Sequence, residues 1–357
     1  MNNSERILFM IGASYVAGAE ITNLNLVRDL HQQGYQILVI VSGWNDGDFV
    51  KRLRQYNIPY TSIKLGYVYL TKPSWTLDTF IHYPKAIIRL RQILKDFKPS
   101  WIFHSSYRSF IMGYPLFKNY KNIYREHDDP NITRMTLWLY QLLNKKIDLF
   151  ICPSLMVKQK LIDLGVHSQK INIIASPVDP EFIDQHKMAY NPAKIKAVGI
   201  IGQIIPRKGF DFLFKELEKV KSNFNLMIYG DDSGPYAQAL KQSITEPLKS
   251  KVQWLGYVKD RTEIYQNLDI VLFPSLSESF GRIIIEAAAF EIPSITSDID
   301  CFNEIITNGE TGLIFKLSDK SELGLLLEKL LSDNELRQRI GKNAKERVLS
   351  KFTSAIC

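Results

Sequence analysis

Two carboxylates and one basic pair have the types and spacing for chemistry. Glu278 lies in a polar loop, Pro274-Ser-Leu-Ser-Glu-Ser-Phe-Gly281, and Glu286 is the sole charge in the apolar run Ile283–Phe290. A helix apolar on every other side is a buried one, and a buried carboxylate needs hydrogen-bonding partners. Neighbouring backbone or a basic side chain can supply them, and so can the hydroxyls of a sugar. Between the two carboxylates, Gly281 and Arg282 mark the turn from loop into helix, where the first amides favour an anion. A loop carboxylate, a phosphate-sized nest of amides and a buried carboxylate within nine residues suit a sugar joined to a nucleoside diphosphate.

The basic pair is Arg207-Lys208. In a polar loop such a pair is commonly just solvated, but here it follows a strand and precedes a helix, so Lys208 can face a phosphate held on the same amides. Gly18 reads equally well as a helix-starting glycine and as a place of close backbone approach to a ligand. His127, beside Asp128 and Asp129, and His104, before Ser105 and Ser106, both end strands. No His, Asp or Glu spacing suggests a metal site, so leaving-group charge falls to Lys208 and amides rather than to a divalent cation.

Such loops need strands and helices to hold them. Near-continuous apolar runs at Ile7–Gly12, Gln36–Val41, Trp101–His104, Asn122–Arg125, Leu149–Cys152 and Ile171–Ala175 alternate with helical patterns such as Gly18–Gln33, Leu77–Phe97 and Thr133–Asn144. That rhythm predicts a parallel sheet covered on both faces. It breaks over Pro177–Lys196 and restarts with Val198–Gly202, then Phe224–Tyr229, Val252–Leu255, Ile270–Phe273 and Ser294–Thr296, before a helical tail from Ser318 to Phe352. The expected organisation is a domain over residues 1–180, a linker over 181–196 and a second doubly wound domain over 197–357, with ligands at the carboxyl ends of strands and in a cleft between domains.

Glu278, seven residues, Glu286 resembles the E-x7-E signature of the retaining glycosyltransferases of family 4, which have the GT-B fold of two Rossmann-like domains. Further similarity lies in Gly202-Gln-Ile-Ile-Pro-Arg-Lys-Gly209, Tyr229-Gly-Asp231, Val252-Gln-Trp-Leu-Gly256, Asp269-Ile-Val-Leu-Phe-Pro-Ser275 and Gly309-Glu-Thr-Gly-Leu313. Ala17-Gly-Ala-Glu20 resembles the family's N-terminal glycine-rich loop, and Tyr124-Arg-Glu-His-Asp128 its segment with an acceptor-side histidine. The resemblance implies transfer of a sugar from a nucleoside diphosphate to a glycan or lipid-linked acceptor, without a further cofactor. Glu278, Lys208 and His127 would be catalytic; Gly18, Gln203, Arg207, Lys208, Glu278, Gly281, Arg282 and Glu286 would bind the donor. It also implies that the acceptor hydroxyl attacks from the face the diphosphate leaves, the phosphate taking its proton.

Three places depart from the family pattern. Gln203 stands where an Arg usually helps hold the diphosphate, and Arg207 is the residue placed to supply that charge. Glu291 replaces the glycine usual before Ile292-Pro293, and Ser176-Pro177 replaces an Asn-Gly turn. Gln203 keeps a catalytically silent nucleotide-sugar-binding partner open as an alternative, alongside a sugar epimerase. A dinucleotide-dependent oxidoreductase is weakened because neither leading strand is followed by G-x-G-x-x-G.

The chain of 357 residues has a formal net charge of +8. Residues 1–180 hold 22 Lys or Arg against 13 Asp or Glu, while residues 181–357 hold 23 against 24. Between Tyr56 and Arg125 the aromatics Tyr60, Tyr67, Tyr69, Trp75, Tyr83 and Trp101 interleave with Lys64, Lys72, Lys85, Arg89 and Arg91. Core packing beside a solvated basic face explains that mixture, and so does an anionic membrane surface. No nucleic-acid recognition module accompanies the charge. Three dispersed cysteines, Cys152, Cys301 and Cys357, and no apolar run of bilayer-spanning length suggest a cytoplasmic protein, peripheral at the inner face of the membrane.

Overall fold

A computed structural model describes residues 5–12, 18–44, 47–67, 73–178, 180–183 and 195–354. The chain forms two compact units, Met1–Ile174 and Ala175–Cys357. In the first, parallel strands β1 (Arg6–Ile11), β2 (Gln36–Ser42), β3 (Tyr60–Ile63), β4 (Trp101–His104), β5 (Lys121–Arg125), β6 (Leu149–Cys152) and β7 (Ile171–Ile173) lie in the order β3-β2-β1-β4-β5-β6-β7. The order reverses beside β1, so the connecting helices fall on both faces. Helices α1 (Gly18–Gln32) and α2 (Asp48–Gln55) cover one face; α3 (Pro73–Phe97), α4 (Tyr107–Phe117), α5 (Arg134–Asn144) and α6 (Leu155–Asp163) cover the other.

Strand β1 shows why the apolar runs are unbroken. Phe9 and Ile11 pack under α1 and α2, while Leu8 and Met10 pack under the opposite layer. Both faces being buried, every position of the strand favours an apolar side chain.

The second unit repeats the plan. It contains α7 (Pro180–Ile183), β8 (Lys196–Ile201), α8 (Phe210–Leu217), β9 (Phe224–Tyr229), α9 (Pro235–Ser243), β10 (Val252–Gly256) and α10 (Arg261–Gln266). There follow β11 (Ile270–Phe273), α11 (Arg282–Ala289), β12 (Ser294–Ser297), α12 (Asp300–Ile305), β13 (Leu313–Phe315), α13 (Glu322–Ser332) and α14 (Asn334–Lys351). Six parallel strands run β10-β9-β8-β11-β12-β13.

The boundary differs from the expected 180/181. Ala175 onward packs with the second unit: Val178 is buried and donates its amide to Phe352 O at 2.7 Å. Phe182, read as the start of a linker, is buried with its ring 5.3 Å from Phe290 and 5.9 Å from Tyr265. A proline-rich segment without periodicity can still anchor through single apolar side chains, which periodicity does not register. Most of the expected linker, residues 184–194, lies outside the described residues. Glu291, in place of the glycine usual in the family, also shapes the backbone. It holds the left-handed φ of 59° that ends α11, a conformation that favours glycine, while Lys345 holds its carboxylate at 3.1 Å.

Candidate active site

Two loops at the carboxyl edge of the six-stranded sheet carry the second unit's candidate residues. The first follows β8 through Gly202 and Gln203 to a single 3-10 turn, Pro206–Lys208, and then Gly209 at φ +78°. Glycine is required there twice over, because a Cβ would also lie 2.1 Å from Pro274 O. The second loop follows β11 from Pro274 to Gly281, which caps α11 at φ +116°. Since β8 and β11 are neighbours, the loops meet: Leu276 N donates to Arg207 O at 2.7 Å, and Arg207 Nη1 donates to Ser277 O at 3.0 Å.

This stitching brings Lys208 onto Glu278. Lys208 Nζ donates to Glu278 Oε1, Arg207 Nη1 stands 3.2 Å from the same oxygen, and Ser275 Oγ donates to it at 3.2 Å. The Lys208 and Glu278 side chains are only 11% and 12% exposed, so the pair is largely shielded from solvent, unlike Arg207 at 44%. Burial pushes the Lys208 ammonium below its ordinary range, with Glu278 opposing that fall. Cys301 Sγ donates to Glu278 O at 3.3 Å, fixing the loop backbone from α12. Beside the pair is a small recess lined by Gly202, Gln203, Lys208, Phe273, Pro274 and Ser275. Among the described residues no group of three or more His, Cys, Asp or Glu side chains is arranged to hold a metal.

Glu286 takes its partners from basic side chains. Arg261 Nη1 and Arg282 Nη2 both donate to Oε1, the latter at 2.9 Å, and Tyr265 OH donates to Oε2 at 2.7 Å. Burial would raise its pKa, but the two guanidiniums outweigh burial and hold the carboxyl below its usual range. Within the protein, two basic side chains and a tyrosine hydroxyl therefore satisfy the carboxylate. The Arg282–Glu286 spacing of four on a helix was readable in advance. Arg261 and Tyr265 were missed: they too are four apart, on α10, but nothing in the sequence links that helix to Glu286.

Gly18 and His127 belong to the first unit, both at the carboxyl edge of its sheet. Gly18 opens α1 and its carbonyl accepts from Thr22 Oγ1 at 3.1 Å; residues 13–17 before it lie outside the described residues. His127 is half-buried and donates its amide to Glu126 Oε1 at 3.0 Å. Glu126, not singled out by sequence, is the buried group here: Asp128 N also donates to Oε1, while Tyr124 and Tyr140 hydroxyls donate to Oε2. Burial raises its pKa despite those four donors. His104 is a core residue. It is fully buried between Phe110 and Phe117, gives Nε2–H to Asn122 Oδ1 at 3.0 Å, and is pushed down to about 4 by burial, hence neutral.

Two doubly wound parallel sheets in tandem, with the reactive loops at their carboxyl edges, place the chain in the GT-B fold class. It superimposes over 98% of its length on 96% of Anabaena Alr3699/HepE in complex with UDP, with a TM-score of 0.81 at 20% identity. Residues 183–347 match the glycosyl transferases group 1 family, and residues 16–182 match Glycosyltransferase Family 4. Between them the two family models span residues 16–347 of the chain. The chain is 31% identical over 162 residues to the capsular polysaccharide biosynthesis glycosyltransferase CapM of Staphylococcus aureus, covering 44% of this chain and 43% of the relative. To the N,N'-diacetylbacillosaminyl-diphospho-undecaprenol alpha-1,3-N-acetylgalactosaminyltransferase of Campylobacter jejuni it is 25% identical over 368 residues, covering 95% of this chain and 94% of that one. The chain spans about half the length of the first curated relatives it matches.

Proposed function

We propose that the chain transfers a sugar from a nucleoside-diphosphate donor to a hydroxyl of a glycan or lipid-linked acceptor, with retention at the anomeric carbon and without a divalent cation. The observation that carries this reading is the shielded Lys208–Glu278 pair beside a recess framed by two glycine-turned loops. Lys208 and Arg207 stabilise charge on the leaving diphosphate, Glu278 faces the transferred sugar, and Gly202, Gln203, Gly281 and Arg282 bound the phosphate site. Glu286 meets the ribose by exchanging one of its present donors, Gly18 contacts the donor and His127 the acceptor. In the reaction the bond from anomeric carbon to diphosphate oxygen breaks as the bond to the acceptor oxygen forms on the same face. The departing phosphate oxygen takes the hydroxyl proton, so the protein contributes position and charge rather than a strong base.

The UDP complex of HepE and the diphospho-undecaprenol acceptor in the Campylobacter relative's name support a nucleotide-sugar donor and a lipid-linked acceptor. Such an acceptor fits a protein peripheral to the inner face of a membrane; among the described residues no helix is long and apolar enough to cross one. Thermal-shift screening of UDP-, GDP- and ADP-sugars tests the donor. NMR of the product's anomeric proton tests retention, and activity in EDTA tests metal independence. Stabilisation by none of the donors overturns the reading. Gln203 at the recess favours one second reading, a silent donor-binding partner: binding without transfer or hydrolysis of any donor would establish it.

A further inference from the structure

We propose that the outer face of the layer formed by α3, α4 and α5 docks on a lipid bilayer bearing anionic headgroups, a surface whose use rests on the lipid-linked acceptor proposed above. Helix α3 buries Thr79, Ala86, Leu90, Ile93 and Leu94 against the sheet, so its opposite side should be polar. Instead Leu77, Phe80, Ile81 and Ile88 are 63%, 58%, 64% and 70% exposed. At spacings of three, four and eleven from Leu77 they form one stripe, with exposed Pro84 filling the turn between. Helix α5 does the same: Tyr140 and Leu143 face inward while Met135 and Trp138 are 74% and 63% exposed, one turn apart.

The two stripes share a side of the unit. Both helices bury their inner faces in one core cluster on one sheet face. Helix α4 ties them, through Tyr83 OH donating to Met112 O at 2.7 Å and Lys146 Nζ lying 5.9 Å from the Tyr114 ring centre. Apolar side chains gathered in two stripes on one side of the unit, unlike scattered single ones, mark an interaction site.

Charge identifies the occupant. Residues 51–100 hold ten Lys or Arg against two Asp. Lys85, Arg89, Arg91 and Lys95 are exposed beside the α3 stripe, and Lys145 and Lys146 follow α5. A second copy would set these cations against their own kind. Aliphatic and aromatic side chains flanked by cations instead suit the boundary between acyl chains and anionic headgroups. The residues differ from the aromatic set in the sequence expectation. Tyr83 is turned to Met112, Tyr60 accepts from Arg54 Nε at 2.7 Å, and Trp101 is half-buried with Lys121 over its ring. Trp75 is 54% exposed, while Tyr69 and Lys72 lie outside the described residues.

The test sediments the full chain with vesicles of phosphatidylcholine alone or mixed with phosphatidylglycerol, at low and high salt. Trp75 and Trp138 emission reports immersion. The chain should sediment with the anionic vesicles and its emission shift to the blue. Leu77→Gln/Ile81→Gln/Ile88→Gln should weaken binding at least about tenfold. Lys85→Gln/Arg89→Gln/Arg91→Gln should weaken it roughly a hundredfold at low salt, at about fivefold per cation. Because all six side chains are exposed, melting temperature and UDP-sugar binding should match the parent. Wild-type protein left in the supernatant, or an apolar variant that sediments unchanged, overturns the proposal. So does a dimer in light scattering that the apolar variant abolishes without any vesicle binding. Vesicle binding without donor binding would instead refute the transferase reading and leave the docking surface standing.

Discussion

Glu286→Gln separates a structural carboxylate from a purely ligand-binding one. In the wild type, two guanidiniums share Oε1 and a tyrosine hydroxyl occupies Oε2, with Glu286 itself 3% exposed. The amide keeps the shape but leaves Arg261 and Arg282 without a countercharge, and removing one partner of a buried pair costs about 3–5 kcal/mol. The arginine side chains retain 20% and 13% exposure, so part of their charge can be solvated and the lower end applies. At roughly 2–4 °C per kcal/mol for a unit of this size, a 3 kcal/mol loss lowers Tm by about 6–12 °C. The sign with pH follows from the carboxyl being held below its ordinary range: its stabilisation is present above the unfolded pKa of about 4.3 and is lost as pH falls through the folded value. The gap between wild type and variant, measured by circular dichroism melts, should therefore be wide at neutral pH and close in acid. A gap under about 1 kcal/mol at neutral pH, or one independent of pH, would refute a structural role for the carboxylate.

Lys208→Ala should lower kcat by about two to three orders of magnitude, the worth of one preorganised transition-state donor; full turnover would remove Lys208 from the reaction. Glu291→Gly relieves a left-handed backbone at the loss of a half-exposed ion pair, and should raise stability by up to about 1 kcal/mol; a fall in denaturant midpoint would show that Lys345 matters more than the strain. Glu126 has a raised pKa, so its favourable contribution is full below the unfolded carboxylate pKa and is lost as pH rises through the folded one. Relative to wild type, Glu126→Gln should gain stability as pH rises above the unfolded carboxylate pKa, and a difference independent of pH would contradict the assignment.

The fold was legible wherever burial is two-sided. Trp101–His104, Leu149–Cys152, Phe224–Tyr229 and Ile270–Phe273 fall on strands with the expected bounds because such strands are apolar at nearly every position. Strand β3, Tyr60–Ile63, was missed: it lies at the sheet edge, has one fully buried side chain and shows no apolar run. Helices α4 and α6 were missed because Pro115 interrupts one and the other spans only nine residues. At the site, what could be read was local. Glu278, Lys208 and Gly281 could be singled out by type and position, whereas Arg261, Tyr265 and Cys301 reach Glu286 and Glu278 from other elements, and tertiary proximity leaves no trace in a single sequence.

On the proposed transferase reading, the same tertiary proximity lets Lys208 serve a diphosphate despite its low exposure. A lysine desolvated only when the donor arrives would lose hydration at the moment of binding. Here its ammonium is desolvated during folding, with Glu278 as countercharge and the Phe273 ring 4.8 Å beneath it. A diphosphate carries more negative charge than a carboxylate, so exchange of partners favours the donor, while Ser275 Oγ at 3.2 Å remains to donate to Glu278. Preorganisation of this kind places the cost in the fold rather than in the reaction. It also gives Gln203 a physical reading: with Arg207 and Lys208 already converging on one carboxylate, a third cation in the recess would add repulsion in the empty site as well as attraction in the loaded one.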